Sequence, residues 1–228
     1  MDANLENRLR ELLHVFLEEN AKLNLSALRD EEKCWIGNIL DSLSLYEYIA
    51  EGKGKIRVQN VNNMMDLGTG GGFPFLPLAI ALPKVECMGM DATGKKLKAV
   101  DVIIERLGIK NAKTLLGRAE DLAQDNWYRD RFDVVTSRAV AETRVILEYM
   151  APFAKTGGFL ALWKSVNIEA EFAASHAAEE TLGLRFADRH TYELPGDFGQ
   201  RQLLIYEKMS QTPREYPRKN GEPKKHPL

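Results

Sequence analysis

The sequence predicts an α/β fold of the Rossmann-like kind: a mostly parallel sheet covered by helices, with a C-terminal antiparallel hairpin and N-terminal helices. Three observations predict it. After residue 55, short apolar runs alternate with helical stripes, which is typical of βαβ units. The final strand-like runs, 184–192 and 201–208, have only the loop ELPGDFGQ between them, so they are expected to pair antiparallel. Before residue 51, the apolar residues recur at helical spacing instead.

The N-terminal part, residues 1–50, is predicted to be a helical extension packed on the core. Apolar residues over 5–17 recur at the i, i+4, i+7 spacing of an amphipathic helix. Asp30 is placed to cap a second helix, which carries its apolar residues over 35–45. The glycine-rich segment EGKGK at 51–55 then ends the extension.

Residues 56–208 are predicted to form the sheet and its helices. The candidate strands of the parallel part are short apolar runs, at 63–67, 85–91, 112–116, 132–137 and 159–164. Helical stripes lie between or after them, near 74–82, 94–107, 142–150 and 168–181. The remaining residues, 209–228, hold four of the nine prolines and no apolar periodicity, which predicts a basic, proline-rich, extended arm.

Composition excludes several classes of protein. The chain has 228 residues and a net charge of −2, with 44% hydrophobic residues, enough for a sizeable core. No apolar run approaches the ~18 residues of a membrane span, and the charged N-terminus has no signal-peptide core. Cys34 and Cys87 make neither a metal spacing nor a disulfide framework. We therefore expect a cytoplasmic protein without metal or membrane contact, and a monomer.

The strongest motif is a glycine loop that follows the first predicted strand. A dinucleotide fingerprint fails, because Phe73 or Phe75 occupies the place of its third glycine. The pattern D-x-G-x-G-x-G fits instead, and it indicates the cofactor loop of a class I methyltransferase that uses S-adenosylmethionine (SAM). An acid at Asp66 would repel a pyrophosphate but suit the ammonium and sulfonium of SAM. Asp91 closes the next strand, where it can accept hydrogen bonds from ribose hydroxyls. The predicted cofactor residues of the loop are Asp66, Gly68, Gly70 and Gly72.

The absence of two motifs narrows the choice of methyl acceptor. Neither cysteine follows a proline, as methylation of a pyrimidine C5 requires. Ala151-Pro152-Phe153 is not the loop typical of exocyclic amine methylation. A nucleophile with a free lone pair remains, such as guanine N7. Arginine offers a planar fork for the neighbouring O6, which points to Arg138 at the end of the fourth strand, with Lys164 at the end of the fifth as a second candidate.

Motifs along the whole chain resemble one family. They include LNLSALRD (23–30), ILDSL (39–43), GTGGGFP (68–74), GRAE (117–120), SRA (137–139) and PRKNGEPKKHPL (217–228). In this order and spacing they resemble the RsmG (GidB) family of bacterial 16S ribosomal RNA guanine-N7 methyltransferases. The resemblance implies a seven-stranded SAM-dependent methyltransferase domain over 56–208, with guanine 527 of 16S rRNA, naked or in the small ribosomal subunit, as the target.

The resemblance also implies roles for single residues. Gly68 and Phe73 would line the cofactor loop, and Asp91 would take the ribose. Ala119 and Glu120 would flank the adenine, whereas Arg138 would border both SAM and the target base. Arg201 and Lys164 would face the RNA. We therefore count Arg138, Lys164 and Arg201 as the candidate catalytic residues.

Two positions depart from the family pattern. Gly37-Asn38 stands where members usually have Arg-His, and Phe75 stands where most have a glycine. The first change removes any role for a histidine at position 38, and the second indicates altered packing of the loop. Asp41 and Ser42 are interpreted as helix packing and capping residues.

Charge patterning suggests where RNA would lie. Residues 95–118 hold seven Lys or Arg against two acids, and 208–228 hold six against two. Such segments suit phosphate contacts. Three rival functions stay open: a small-molecule methyltransferase, a non-catalytic SAM- or RNA-binding module, and an oxidoreductase, the last weakened by the failed dinucleotide fingerprint.

Overall fold

A computed structural model describes residues 2–52, 54–219 and 221–228. Met1, Lys53 and Asn220 lie outside the described residues, and with them one position each of the predicted helical extension, the glycine-rich segment at 51–55 and the C-terminal arm.

The predicted Rossmann-like α/β fold is confirmed. The described residues form one seven-stranded sheet in the order β3-β2-β1-β4-β5-β7-β6, in which β7 runs opposite to the other six strands. The strands are β1 Asn63–Leu67, β2 Glu86–Asp91, β3 Ala112–Leu116, β4 Phe132–Arg138, β5 Ala154–Ser165, β6 Leu184–Leu194 and β7 Gly199–Lys208. The last two form the expected hairpin, with Tyr192 paired to Arg201. The strand predicted at 159–164 begins earlier, at Ala154, beyond a register shift opposite β4.

Helices cover both faces of this sheet. The N-terminal ones are α1 Ala3–Leu23, α2 Glu31–Cys34 and α3 Asp41–Ala50, the last two joined by a π-helical segment, Trp35–Leu40. The others are α4 Phe75–Ala81, α5 Gly94–Leu107, α6 Ala119–Leu122, α7 Thr143–Met150, α8 Glu169–Ala173, α9 His176–Leu182 and α10 Glu222–Lys225. The helix predicted at 168–181 is two helices, because the chain turns at Ser175, whose hydroxyl donates to the carbonyl of Phe172.

Alternating side chains on each strand feed two separate apolar cores. Met64 points into the core that α1, α3, α4 and α5 cover, and its neighbour Met65 points into the core on the other face. Leu203 and Leu204 divide in the same way in β7. The central strands are therefore apolar on both faces, which is why they appear as continuous apolar runs in the sequence.

The N-terminal helices support the glycine loop directly. Phe16 of α1 is fully buried and meets the ring of Phe73 edge to face, with 4.7 Å between ring centroids. A side chain at Gly71 would come within 3.2 Å of the Phe16 ring and 3.0 Å of Leu25. The helical extension is thus part of the structure that holds the loop.

The C-terminal segment is held against the core along its length, a contact that the prediction of an extended arm did not include. Pro217 and Pro223 are buried, and Leu228 packs on the core that α7 and α9 cover. Two residues of the basic segment 208–228 face inward: Lys208, at the end of β7, is fully buried, and Arg218 pairs with Glu148 of α7. The fold uses these two side chains, so the phosphate contacts predicted for 208–228 would come from the other basic residues of the segment.

No helix of the described residues has the length and apolar character needed to cross a membrane. Within the same residues, no three His, Cys, Asp or Glu side chains are grouped so that they could hold a metal ion.

Candidate functional site

The glycine loop turns tightly at the carboxyl end of β1, the central position where the order of strands reverses. The backbone amides of Gly68 and Thr69 both donate to the carbonyl of Met90, each at 2.9 Å. Gly68 has φ +78°, and a Cβ there would come within 2.6 Å of a Val140 methyl group. A glycine is therefore required at this position for two independent reasons.

Asp91 ties the loop to the neighbouring strand. One carboxylate oxygen accepts from the amide of Gly70 at 2.9 Å and the other from the amide of Thr93 at 2.8 Å. A carboxylate has about four acceptor positions, so each oxygen can still accept a hydroxyl proton. Asp91 can thus hold the loop and bind a diol together.

A cavity of about 300 Å³ opens beside this loop. We call it the Gly-loop cavity, and its walls come from the ends of β1 to β4 and from α6. Of the predicted cofactor residues, the lining includes Gly68, Asp91, Ala119 and Glu120. Apolar walls come from Leu67, Met90 and Val140, and the lining also includes Arg118, Tyr149 of α7 and Lys224 of α10. Apolar walls with acids among the lining residues suit an adenosine group.

Asp66 lies beneath the loop rather than in this cavity. Its side chain is 2% exposed, and one oxygen accepts from the Thr136 hydroxyl at 2.7 Å. The other oxygen has no hydrogen-bond partner among the described residues. Burial raises the pKa of Asp66 to about 6, although the Thr136 hydrogen bond acts against this. A nearby positive group would stabilise the ionised form of this buried carboxylate, whose second oxygen has no partner among the described residues. The site therefore fits a cationic cofactor.

The other predicted loop residues also support the cavity from outside. Gly70 and Gly72 are not among its lining residues and shape the turn instead, both with positive φ. Phe73 is 6% exposed and lies between the Phe16 ring and the guanidinium of Arg138, which is 5.9 Å from its centroid.

A second cavity, of about 390 Å³, adjoins the end of β4. We call it the Arg138 cavity, and it gathers all three candidate catalytic residues, Arg138, Lys164 and Arg201. Ala139 lines it too, with φ +56°, an unusual conformation for a residue with a side chain. Val140 then lines the Gly-loop cavity, so this strained turn leads from one cavity to the other.

Arg138 is fixed by the N-terminal helices. Its Nη1 donates to the carbonyl of Gly37 at 3.0 Å and to a carboxylate oxygen of Asp41 at 2.9 Å. Both partners of this ion pair are mostly buried, with side chains 16% and 12% exposed. Its Nε and Nη2 make no hydrogen bond with the part of the chain that the structure describes. Arg138 thus keeps donors for a ligand.

Asp41 is a site residue that sequence reasoning missed, since we interpreted it as a packing residue. Its second oxygen accepts from the Tyr192 hydroxyl at 2.6 Å, and burial, together with Asp41 itself, raises the pKa of Tyr192. Its backbone carbonyl accepts from the Trp163 indole at 2.8 Å. The only signal in the sequence is its place in the ILDSL motif.

Lys164 and Arg201 lie on the other wall of the Arg138 cavity. The ammonium of Lys164 donates to Glu171 at 2.6 Å and to the carbonyl of Ala141 at 2.9 Å. Burial alone would raise the pKa of Glu171, but hydrogen bonds from Lys164 and Thr143 outweigh it and hold that pKa below its usual range. Arg201 is partly exposed and lines the cavity.

The two departures from the family pattern have structural partners. A Cβ at Gly37 would lie 2.5 Å from the ring of Phe198, which is also a wall of the Arg138 cavity. Phe75 is 1% exposed, and its ring occupies the space that a side chain at Gly89 would need. Glycine at 37 therefore admits Phe198, and Phe75 packs beneath the sheet without disturbing the loop glycines.

Comparison of the sequence with known proteins finds rRNA methyltransferases along most of the chain. A family model described as rRNA small subunit methyltransferase G matches residues 5–195. A curated relative, "Ribosomal RNA small subunit methyltransferase G" of Carboxydothermus hydrogenoformans, is 36% identical over 94% of this chain and 88% of its own. The protein of the same name from Lactococcus lactis subsp. lactis is 38% identical over 94% of this chain and 87% of its own.

Solved structures share the fold at low sequence identity. A putative O-methyltransferase from Klebsiella pneumoniae superposes with a TM-score of 0.60 at 14% identity, covering 87% of this chain and 90% of its own. A SAM-dependent methyltransferase from Aquifex aeolicus gives a TM-score of 0.54 at 17% identity, covering 80% and 96%. Both similarities show that the architecture is that of class I methyltransferases.

Proposed function

The chain belongs to the rRNA small subunit methyltransferase G family, and we propose that it transfers a methyl group from SAM to N7 of a guanine in bacterial 16S rRNA. By family resemblance the target is guanine 527. The observation that carries the proposal is the meeting of two cavities at the turn after β4. Because Arg138 lines one cavity and Val140 the other, a base in the Arg138 cavity would lie next to a cofactor in the Gly-loop cavity.

The residues of the Gly-loop cavity fit SAM. Asp91 and Glu120 would hold the ribose and the adenine edge, and the orphaned carboxylate of Asp66 would favour the cationic end. When bound, SAM supplies an electrophilic methyl group on a positively charged sulfur.

The Arg138–Asp41 pair fits a guanine better than an adenine. A guanine edge carries the acceptors N7 and O6 in sequence, followed by the N1–H donor. Arg138 offers free donors beside the carboxylate of Asp41, which keeps unused acceptor positions. Adenine presents an amino donor where guanine has O6, so the same pair would face it with mismatched groups.

The reaction needs little proton transfer by the side chains of the protein. Guanine N7 has a lone pair and no proton, so no general base is needed, and catalysis consists mainly of placement. Methylation leaves a positive charge on the base, which Asp41 can offset at short range. Arg138, held at two points by Gly37 and Asp41, would fix the base, and Arg201 would meet the RNA backbone. Lys164, which pairs with Glu171, would line the cavity around the base.

A few exposed basic side chains would extend the contact with RNA. Lys95 and Lys98 are exposed on α5, Lys113 is exposed on β3, and Arg118 is exposed where it lines the Gly-loop cavity. The target base would leave its stack to reach a cavity of this size, as bases do in other RNA-modifying enzymes. A cytoplasmic location and a monomeric state stay predictions.

The test is transfer of tritium from methyl-labelled SAM to 16S rRNA, supplied naked, in assembly intermediates and in the small subunit. We expect label on N7 of one guanine, located by borohydride and aniline cleavage of the RNA. Arg138→Ala is expected to abolish transfer while SAM still binds. Arg185→Ala is the matched control, because Arg185 is exposed and pairs with Glu207 at the far end of the hairpin.

Three outcomes would contradict the proposal. Firm SAM binding without transfer to any RNA form would indicate a binding module. Efficient transfer to free guanosine would indicate a small-molecule enzyme. Wild-type rates in Arg138→Ala would remove that residue from the site.

A further inference from the structure

The C-terminal segment is anchored by a buried arginine. Arg129 is 5% exposed, and its guanidinium donates to the carbonyls of Thr212 at 2.7 Å, Pro213 at 3.0 Å and Tyr216 at 3.0 Å. A fourth hydrogen bond, at 2.9 Å, reaches the carbonyl of Ala123 after α6. Backbone acceptors bound in this way place the segment whatever its side chains are.

A second anchor lies at Arg218, two residues after Tyr216. Its backbone amide and Nε donate to one oxygen of Glu148, at 2.8 and 2.9 Å, and its Nη2 donates to the other at 2.6 Å. Glu148 is fully buried. The same Nη2 donates to the carbonyl of His226 at 2.8 Å, just after α10. Arg218 therefore links α7 to α10 and sets where the short helix lies.

These anchors bring Lys224 to the Gly-loop cavity. Lys224 is an exposed residue of α10 and lines the cavity, as Tyr149 and Glu120 also do. Its neighbour Lys225 is equally exposed but is not part of the lining. The distinction follows from the docking of α10, since nothing in the local sequence separates the two lysines.

We propose that the docked C-terminal segment is a wall of the cofactor site and that Lys224 donates a hydrogen bond to the nucleoside half of the cofactor. The inference rests on the proposed function, because it requires SAM in the Gly-loop cavity. The nucleoside half is favoured by charge. An ammonium next to the sulfonium would repel it, whereas the carboxylates of Asp91 and Glu120, which line the same cavity, can balance the charges of Lys224 and Arg118.

The test is direct binding, without RNA. Lys224→Ala and the matched control Lys225→Ala are titrated by calorimetry with SAM and with S-adenosylhomocysteine, which has the same nucleoside but no sulfonium charge. We expect Lys224→Ala to weaken both ligands alike, by about tenfold, and Lys225→Ala to bind as the wild type does. Both lysines are exposed, so neither variant endangers folding.

A second pair of variants tests the docking. Arg218→Ala frees the segment but leaves Glu148 buried without its partner, whereas the double variant Arg218→Ala/Glu148→Gln removes the charge on both sides. We expect both to weaken SAM and S-adenosylhomocysteine about as much as Lys224→Ala does, with faster trypsin cleavage after Lys219. Adding Lys224→Ala to the double variant should then weaken binding no further.

Unchanged affinity in Lys224→Ala would overturn the inference, as would tighter binding of SAM alone, which would place the ammonium at the sulfonium. Normal binding with lost methyl transfer would move Lys224 to the RNA and equally overturn it. Failure of the proposed function itself looks different: the wild type would then bind no SAM or transfer no methyl group.

Discussion

Replacing Gly68 by alanine separates the two reasons for a glycine in the loop. The left-handed backbone, φ +78°, costs an alanine roughly 1–2 kcal/mol. The new methyl group would also lie 2.6 Å from a Val140 methyl group, and overpacking of this kind adds roughly 1–3 kcal/mol. We therefore expect Gly68→Ala to lower the free energy of unfolding by about 2–5 kcal/mol.

Gly157→Ala is the matched control. Gly157 has nearly the same backbone angle, φ +81°, but a Cβ there would meet nothing within 4 Å. It should cost roughly 1–2 kcal/mol, which is the backbone term alone. Urea denaturation measures both variants, and calorimetry measures their SAM affinity, which only Gly68→Ala should reduce, because its methyl group enters the cavity wall.

The double variant Gly68→Ala/Val140→Ala completes the cycle. Removing the Val140 methyl groups should relieve the clash with Ala at position 68 but not the cost of the left-handed backbone. The two substitutions should therefore couple favourably by about 1–3 kcal/mol. Equal losses of stability in Gly68→Ala and Gly157→Ala, or no coupling with Val140, would refute the argument that Val140 limits this position.

Three further results are expected. Asp66→Asn should raise the free energy of unfolding at pH 7 by up to about 3 kcal/mol while weakening the binding of SAM. Because the pKa of Asp66 is raised from 3.8 to about 6, the wild type loses this stability as the pH rises between those values. Urea denaturation at a series of pH values should show that slope only in the wild type. Burial lowers the pKa of Lys208 from 10.5 to about 7, so between those pH values the unfolded chain binds one proton more than the folded protein, and the wild type should gain stability as the pH rises. Lys208→Met should abolish this rise. A melting profile that Lys208→Met leaves unchanged over that range would contradict the argument. Tyr192→Phe removes a donor to Asp41 and should slow methyl transfer by about tenfold or more at unchanged SAM affinity, whereas loss of affinity would place Tyr192 at the cofactor.

Local patterns in the sequence predict much of the fold. The helix predicted at 94–107 is found at those residues, and the strands 63–67 and 112–116 also match. Helical and extended periodicities differ within a few residues, so neighbours in sequence suffice to distinguish them. The π-helical segment at 35–40 was not predicted, and its Gly37 carbonyl accepts a hydrogen bond from Arg138, which lies 101 positions away in the sequence.

The glycine loop belongs to the predictable part of the site, since its turn and the following acid lie on adjacent βα units. Asp41 does not. Its partners, Arg138 and Tyr192, are 97 and 151 positions away, and no spacing rule connects them. The basic residues divide similarly: Lys208 and Arg218 looked like RNA contacts in the sequence, but one is fully buried and the other pairs with Glu148.

The sequence by itself determined the order of strands and helices, the glycine loop, the likeness to one methyltransferase family, and the strand ends that carry Arg138 and Lys164. These depend on residues within one βα unit, whose conformations are set by local propensity and turn chemistry. Only the tertiary structure decided that Asp41 holds Arg138 and that Lys224 rather than Lys225 lies at the Gly-loop cavity. Packing sets those contacts, because a side chain's partners across a fold depend on where whole elements lie rather than on its neighbours in the chain.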